Sequence, residues 1–215
     1  MLERLLQWVF PDDCLGCGIR GALLCPRCLA GAPHYTAEWP QLGARQVFIR
    51  YEYIETIRAA LLLLKYCGKR RVALVLADAL VPMLPTCYVA VIALPAAPLR
   101  ISRRGYDQAV LLAQAVAHRL GVWYCAGLVR TRDTIAQAQL TRTQRAANVA
   151  GAFGWHGTVP KGRVLLVDDI CTTGATLREA IRVLHAVGIQ DVDVAVIARG
   201  QTNDSRSVER ESAQG

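Results

Sequence analysis

Apolar positions along this chain switch repeatedly between two periods. Residues 47–53, VFIRYEY, alternate and are rich in β-formers, which predicts a strand. Ile57, Ala60, Leu61 and Leu64 recur at helical spacing, so a helix is expected from Glu55 to Tyr66, and a second from Val72 to Leu84. YVAVIAL, residues 88–94, is a continuous short apolar run, the signature of a strand buried on both faces. Ala109, Leu112, Ala113, Val116, Ala117 and Leu120 form a helical stripe that Gly121 should end. Residues 163–167 read as another buried strand. Leu177, Ile181, Leu184 and Val187 mark a helix stopped near Gly188, and VDVAVIA, residues 192–198, closes the series as a strand. Strands alternating with helices predict an α/β fold: a mostly parallel sheet with helices on both faces.

The ends follow other rules. Residues 1–10 lack the basic start, long apolar middle and small-residue cleavage site of a signal peptide, and read as a short amphipathic helix. No apolar run reaches the roughly 18 residues of a membrane span. Both points make a cytoplasmic protein the expectation. Residues 31–45 are irregular and rich in Pro, Gly and aromatics, which puts a boundary near residue 45. Residues 201–215 are polar and without apolar periodicity, as in a disordered tail. The expected organisation is a four-cysteine segment over 1–45, a main domain over 46–200 and the tail.

CLGCGIRGALLCPRC carries the first candidate chemistry. Cys14 and Cys17 form one Cys-x-x-Cys knuckle, and Cys25 and Cys28 a second. Four thiolates this close suit a tetrahedral, structural Zn²⁺ in a compact zinc-ribbon-like segment. Two redox dithiols or a pair of disulfides are the alternatives. Gly16 and Gly18 supply the backbone freedom a tight knuckle needs, and His34 is a bystander beside four cysteines. Cys67, Cys87, Cys125 and Cys171 are scattered and read as small buried or loop residues.

The second candidate is LLVDDICTTGATLREA, residues 165–180. Ligands in parallel α/β sheets bind at the carboxyl ends of strands. Asp168 and Asp169 fall at such an end, and the loop that follows strips away bulk before a helix begins. The N–H groups of a small-residue loop entering a helix cradle phosphate. Thr172, Thr173 and Thr176 add hydroxyls, and Gly174 admits close approach. Two carboxylates repel a phosphate but suit hydroxyls or a cation. A ribose 5-phosphate presents both ends. One N-cap would need a single Asp or Thr. The Gly-Lys-Ser/Thr ending of a P-loop and the Gly-x-Gly-x-x-Gly of a dinucleotide fold are both missing. The net charge of +8 fits an anionic partner, with basic residues gathered around 69–71, 100–104 and 130–145.

VLLVDDICTTGAT resembles the phosphoribosyl-pyrophosphate (PRPP) motif of the type I phosphoribosyltransferases. The wider chain is similar to one branch of them, the ComF family of competence-associated proteins. The paired knuckles, LLLLKYCGKR at 61–70, RRGYDQAVLLAQAVA at 103–117 and TRTQRAANVAGAF at 141–153 support that branch in order and spacing. The resemblance implies that Asp168 and Asp169 hold the ribose hydroxyls, and that Thr172, Thr173, Gly174, Ala175 and Thr176 hold the 5-phosphate. It implies that Arg104 and Gly105 face the pyrophosphate with Mg²⁺, and that a hood over 130–148 brings Arg142 or Arg145 to the leaving group as catalytic residues. Two positions depart from the family pattern. Pro95 is followed by Ala96 and Ala97 where the family often has Leu-His, and the family asparagine is Asp107; both bear on turnover more than on fold. Three functions follow from the resemblance. One is a phosphoribosyltransferase that releases pyrophosphate from PRPP. Another is a non-enzymatic protein that binds a phosphorylated ligand or single-stranded DNA during DNA uptake in natural competence. The third is an adaptor whose knuckle docks a competence helicase.

Overall fold

The computed structural model describes residues 12–37, 42–66, 70–132 and 148–200. The expected amphipathic helix, the tail, Arg142, Arg145 and Cys67 lie outside the described residues. The main sheet is built from β1 (Gln46–Glu52), β2 (Ala90–Ala93), β3 (Trp123–Cys125), β6 (Val164–Cys171) and β7 (Val192–Arg199) in the order β1-β7-β6-β2-β3. Every neighbouring pair is parallel. All five carboxyl ends therefore meet at one edge. A separate antiparallel pair joins β4 (Leu128–Arg130) to β5 (Phe153–Trp155).

Side chains on one strand alternate between faces, and the core divides accordingly. Val91, Ala93, Leu165, Val167, Ala195 and Ile197 pack with α2 (Glu55–Tyr66), α3 (Arg70–Leu80) and α5 (Gln108–Leu120). Ala90, Ile92, Val164, Leu166, Val194 and Val196 pack on the other face with Leu177, Ile181 and Leu184 of α6 (Ala175–Ala186). Helices on both faces of a parallel sheet are what the alternating periods predicted. Among the described residues no helix is long and apolar enough to cross a membrane.

Several elements differ from the sequence reading. The second helix begins earlier, at Arg70, and its end tightens into a 3₁₀ turn, Val81–Met83, because Pro82 cannot donate the next helical bond. Strand β6 does not stop at Val167. It runs through both aspartates to Cys171, paired with β7 as far as Cys171↔Arg199, so the ladder overrides the low strand propensity of aspartate. A short helix, α4 (Pro98–Arg104), was not expected; Pro98 opens it and Gly105, at φ +79°, closes it.

The cysteine segment packs on the main core. Leu23, Leu24 and Ala32 share one cluster with Ile57, Leu61 and Leu64. Asp12 and Arg71 are ion-paired at 2.7 Å. The backbone at His34 bridges to Tyr51 on the outer side of β1. A short helix, α1 (Pro26–Ala30), carries the last cysteine, with the Cys25 sulfur capping its N-terminus.

Candidate phosphate-binding site and cysteine cluster

The carboxyl edge of the sheet forms the candidate site from β6, the loop after it and α6. A small cavity of about 40 Å³ is lined by Asp168, Ile170 and the run Cys171–Leu177. Gly174 takes φ +73°, a left-handed turn that a side chain would strain, and leads directly into Ala175 at the start of α6. The first-turn N–H groups of a helix have no carbonyl of their own to bond, so this cavity has donors of the kind an anion uses.

The loop is braced from two sides. Arg199, at the end of β7, donates to the carbonyls of Cys171 at 3.1 Å and Gly200 at 2.7 Å, and also to that of Thr172. Arg178 of α6 donates to the Thr173 carbonyl at 3.0 Å. A Cβ on Gly200 would meet Thr172 Cγ2 at 2.8 Å, so close packing adds to the brace.

The two acids sit on opposite faces of β6. Asp168 lines the cavity, and its Oδ1 accepts the Asp169 N–H at 2.8 Å. Burial, then the neighbouring Asp169 charge, push the Asp168 carboxyl well above the usual carboxylate range. Asp169 is only 4% exposed, and its Oδ2 lies 2.6 Å from Nζ of Lys65, at the end of α2. Burial opposes the Lys65 charge, but Asp169 more than offsets this and raises the lysine pKa.

Across the same edge, the connection between β2 and α5 carries Arg104, at the end of α4, and Gly105. Arg104 donates to Gln108 Oε1 at 2.7 Å and stacks on the exposed Tyr66 ring, 4.9 Å from its centroid. A larger, mainly apolar cavity of about 540 Å³ lies beside this loop, lined among others by Pro95, Ile101, Asp107, Tyr124, Leu128 and Arg130.

The four cysteines converge as the spacing predicted. The sulfurs of Cys14, Cys17, Cys25 and Cys28 all lie within 4.8 Å of one another, with Cys17 and Cys25 at 3.7 Å. A Zn²⁺ with sulfurs at about 2.3 Å in a tetrahedron needs sulfur–sulfur edges of about 3.8 Å, so this donor set fits the ion. Burial raises the Cys14 thiol, but N–H groups of Cys25, Cys17 and Gly16 more than offset it and bring it down to about 6. Hydrogen bonds with Cys25 and Cys17 push Cys28 up to about 12. A Cβ on Gly16 would stand 2.7 Å from Cys28 Sγ, so close approach fixes glycine there. His34 takes no part; its ring packs edge-on against Tyr51 at 5.9 Å.

Comparison with known proteins follows the same lines. Residues 107–213 match the family described as Phosphoribosyl transferase domain. The chain is 36% identical over 114 residues to Competence protein F of Haemophilus influenzae, covering 51% of this chain and 50% of that protein. It is 32% identical over 200 residues to the DNA utilization protein YhgH of Salmonella typhimurium, covering 86% of this chain and 83% of that protein. The chain belongs to the ComF family. An orotate phosphoribosyltransferase structure from Aeropyrum pernix is a distant likeness, with a TM-score of 0.38 at 23% identity over 69% of this chain and 70% of that one.

Lys65 and Arg199 are the site residues that the sequence reading of this ComF protein passed over. Lys65 lies inside the LLLLKYCGKR segment, whose resemblance is one of pattern and assigns no role to the lysine. No local signal marks Arg199, because its targets are carbonyls 27 and 28 residues away in the chain. Asp107 also takes a different part from the one expected. Its Oδ1 accepts the N–H groups of Ala109 at 2.9 Å and Val110 at 3.4 Å, and its Oδ2 that of Ala96 at 2.8 Å. The carboxylate is thus spent on backbone donors at the start of α5.

Proposed function

We propose that this ComF protein binds PRPP, or a related ribose 5-phosphate, at the carboxyl end of β6 and acts in DNA uptake. The observation that carries the reading is the cavity in which a glycine-turned helix mouth and the Asp168 carboxylate share one wall. Thr172, Thr173, Gly174, Ala175 and Thr176 hold the 5-phosphate, and the Asp168–Asp169 end of β6 serves the sugar. Arg104 and Gly105 face the pyrophosphate end, and Arg142 or Arg145 meets the leaving group. Asp168 and the threonine hydroxyls are hard oxygen donors, of the kind Mg²⁺ takes alongside a substrate's own phosphates; the ion would neutralise charge on the pyrophosphate.

If the reaction is that of a phosphoribosyltransferase, the C–O bond at the anomeric carbon breaks, pyrophosphate leaves with the bonding pair, and a nucleophile takes its place. Positive charge then grows on the ribose and negative charge on the leaving group. Fixed donors aimed at those charges lower the barrier without reorganising, and a phosphate gripped by a braced loop orients the sugar for attack. The knuckle segment holds Zn²⁺ as a structural ion and buttresses the main domain. Four clustered thiols, with no disulfide among the described residues, fit a reducing compartment, and we place the protein in the cytoplasm.

Calorimetric titration with PRPP and Mg²⁺, followed by a pyrophosphate-release assay over a panel of nucleobases, tests the reading. Saturable binding supports the site, and pyrophosphate release supports the enzyme. Absence of PRPP binding removes both. A second reading, single-stranded DNA binding without catalysis, is favoured by the exposed Tyr66 stacked on Arg104, with Arg100 and Arg103 exposed nearby. An aromatic face beside basic side chains suits stacked bases and phosphates. Binding of labelled DNA that weakens steeply with salt, with no pyrophosphate release, is its expected outcome.

A further inference from the structure

The two acids of β6 occupy unequal surroundings. Asp168 lines the cavity. Asp169 faces the α2 side, nearly without exposure, and meets Lys65 Nζ at 2.6 Å. The lysine side chain is itself only 19% exposed, and an ammonium is withdrawn from water to that degree where a carboxylate answers it. Its helix end is fixed as well: the Tyr106 hydroxyl donates to the Leu64 carbonyl at 2.8 Å, which ties the last turn of α2 to the loop carrying Arg104 and Gly105.

We propose that the acids divide the work: Asp168 alone contacts the sugar diol, and Lys65 is a positioning residue that keeps Asp169 ion-paired and turned away from the ligand. This rests on the ribose-phosphate reading above. The physical reason is proximity. Asp169 is next in sequence to the acid at the cavity wall, and a buried carboxylate keeps its place where a cation answers it. Lys65 supplies that cation from the far side of the strand, 2.6 Å away. The ligand then meets one acid at the cavity wall, in place of two.

The test uses the full chain and two probes, ribose 5-phosphate and 2-deoxyribose 5-phosphate, titrated by calorimetry. Their affinity ratio reads the vicinal diol and leaves the phosphate contacts aside. The wild type should favour the ribose compound by about tenfold, the worth of one charge-assisted hydrogen bond. Asp168→Asn should abolish the preference. Lys65→Met should abolish it too, while the deoxy compound binds within about threefold of wild type. Lys65→Arg should keep it. The decisive variant is Lys65→Met with Asp169→Asn, which leaves neither charge behind Asp168 and should regain the preference to within about threefold.

A folded double variant without the preference overturns the proposal, since Asp169 would then be a contact in its own right. Equal loss of both probes in Lys65→Met also overturns it, because the lysine's role is then only structural. If Lys65→Met does not fold, the double variant decides, as it buries no unpaired charge. A wild type that binds both probes equally fails the ribose reading itself, before any variant is made, and the proposal falls with it.

Discussion

Asp107 and Ala96 are joined by a hydrogen bond that spans eleven residues of chain, from the Ala96 N–H to the Asp107 Oδ2 at 2.8 Å. The other carboxylate oxygen caps α5. One side chain therefore fixes both where the helix starts and where the loop from β2 leaves the sheet. A family asparagine offers one acceptor oxygen, whereas three N–H groups converge here on two.

Asp107→Asn should accordingly weaken the fold, not restore a family trait. The amide can keep the helix cap, but its NH₂ would face the Ala96 N–H. A buried donor left without a partner costs about 1–3 kcal/mol. Urea denaturation should show that loss for Asn, and a larger one for Asp107→Ala, which also forfeits a cap worth about 1 kcal/mol. Equal stability of Asn and wild type would mean that the Ala96 bond contributes nothing.

Gly16→Ala tests the cysteine cluster with a single methyl group. The added carbon would sit 2.7 Å from Cys28 Sγ and 3.1 Å from Thr56 Cγ2, well inside contact distance. The protein should fold with a displaced Cys28 and, once loaded with Zn²⁺, give it up to a chelator at concentrations that leave the wild type loaded. Metal analysis after chelator dialysis reads this directly. Retention equal to wild type would show that the sulfurs do not need this packing.

Much of this architecture could be read from periodicity, because the parts concerned are long and local. Ile57, Ala60, Leu61 and Leu64 announce α2, and all four are buried. The cysteine knuckles and the loop Thr172–Gly174 that enters α6 are also local, and both fold close to where their spacing put them. What escaped was non-local. The β4–β5 pair is made of three-residue strands joined across a long intervening segment, too short for any period to show. The Lys65–Asp169 and Arg199–Thr172 contacts bring together distant parts of the chain, so neither partner signals the other. Adjacency in sequence also misled: Asp168 and Asp169 read as one pair, but strand alternation sends them to opposite faces.

Shared packing changes what metal removal should do. The sequence places a boundary near residue 45, and two independent segments would confine the effect of chelation to the first. Leu23 and Leu24 pack with Leu61 and Leu64 in one cluster, so releasing the knuckle exposes apolar surface of the main domain. If the cluster holds Zn²⁺ as proposed, its removal should therefore lower the melting temperature of the whole protein as one transition, in calorimetry and far-UV circular dichroism alike. Two separate transitions, with the sheet melting unchanged, would show that the segments fold independently.

Asp168 should set a pH dependence of stability with an unusual sign. Burial and the Asp169 charge raise its folded pKa above the value it has in the unfolded chain. The folded state then binds the proton more tightly. Its contribution is most favourable below the ordinary carboxylate pKa, about 4, and is lost as pH rises from there through the raised value. Asp168→Asn does not titrate and escapes that loss. The variant should melt above the wild type at neutral pH, and the difference should shrink as pH falls toward about 4. Melting curves of both proteins in steps from acid to neutral pH decide it. A constant difference, or a variant that melts lower at pH 7, would show that the Asp168 charge carries no strain in the folded protein. The predicted gain in stability would come with lost ligand affinity, since the cavity wall that makes the charge costly is also the wall that places it beside the helix mouth.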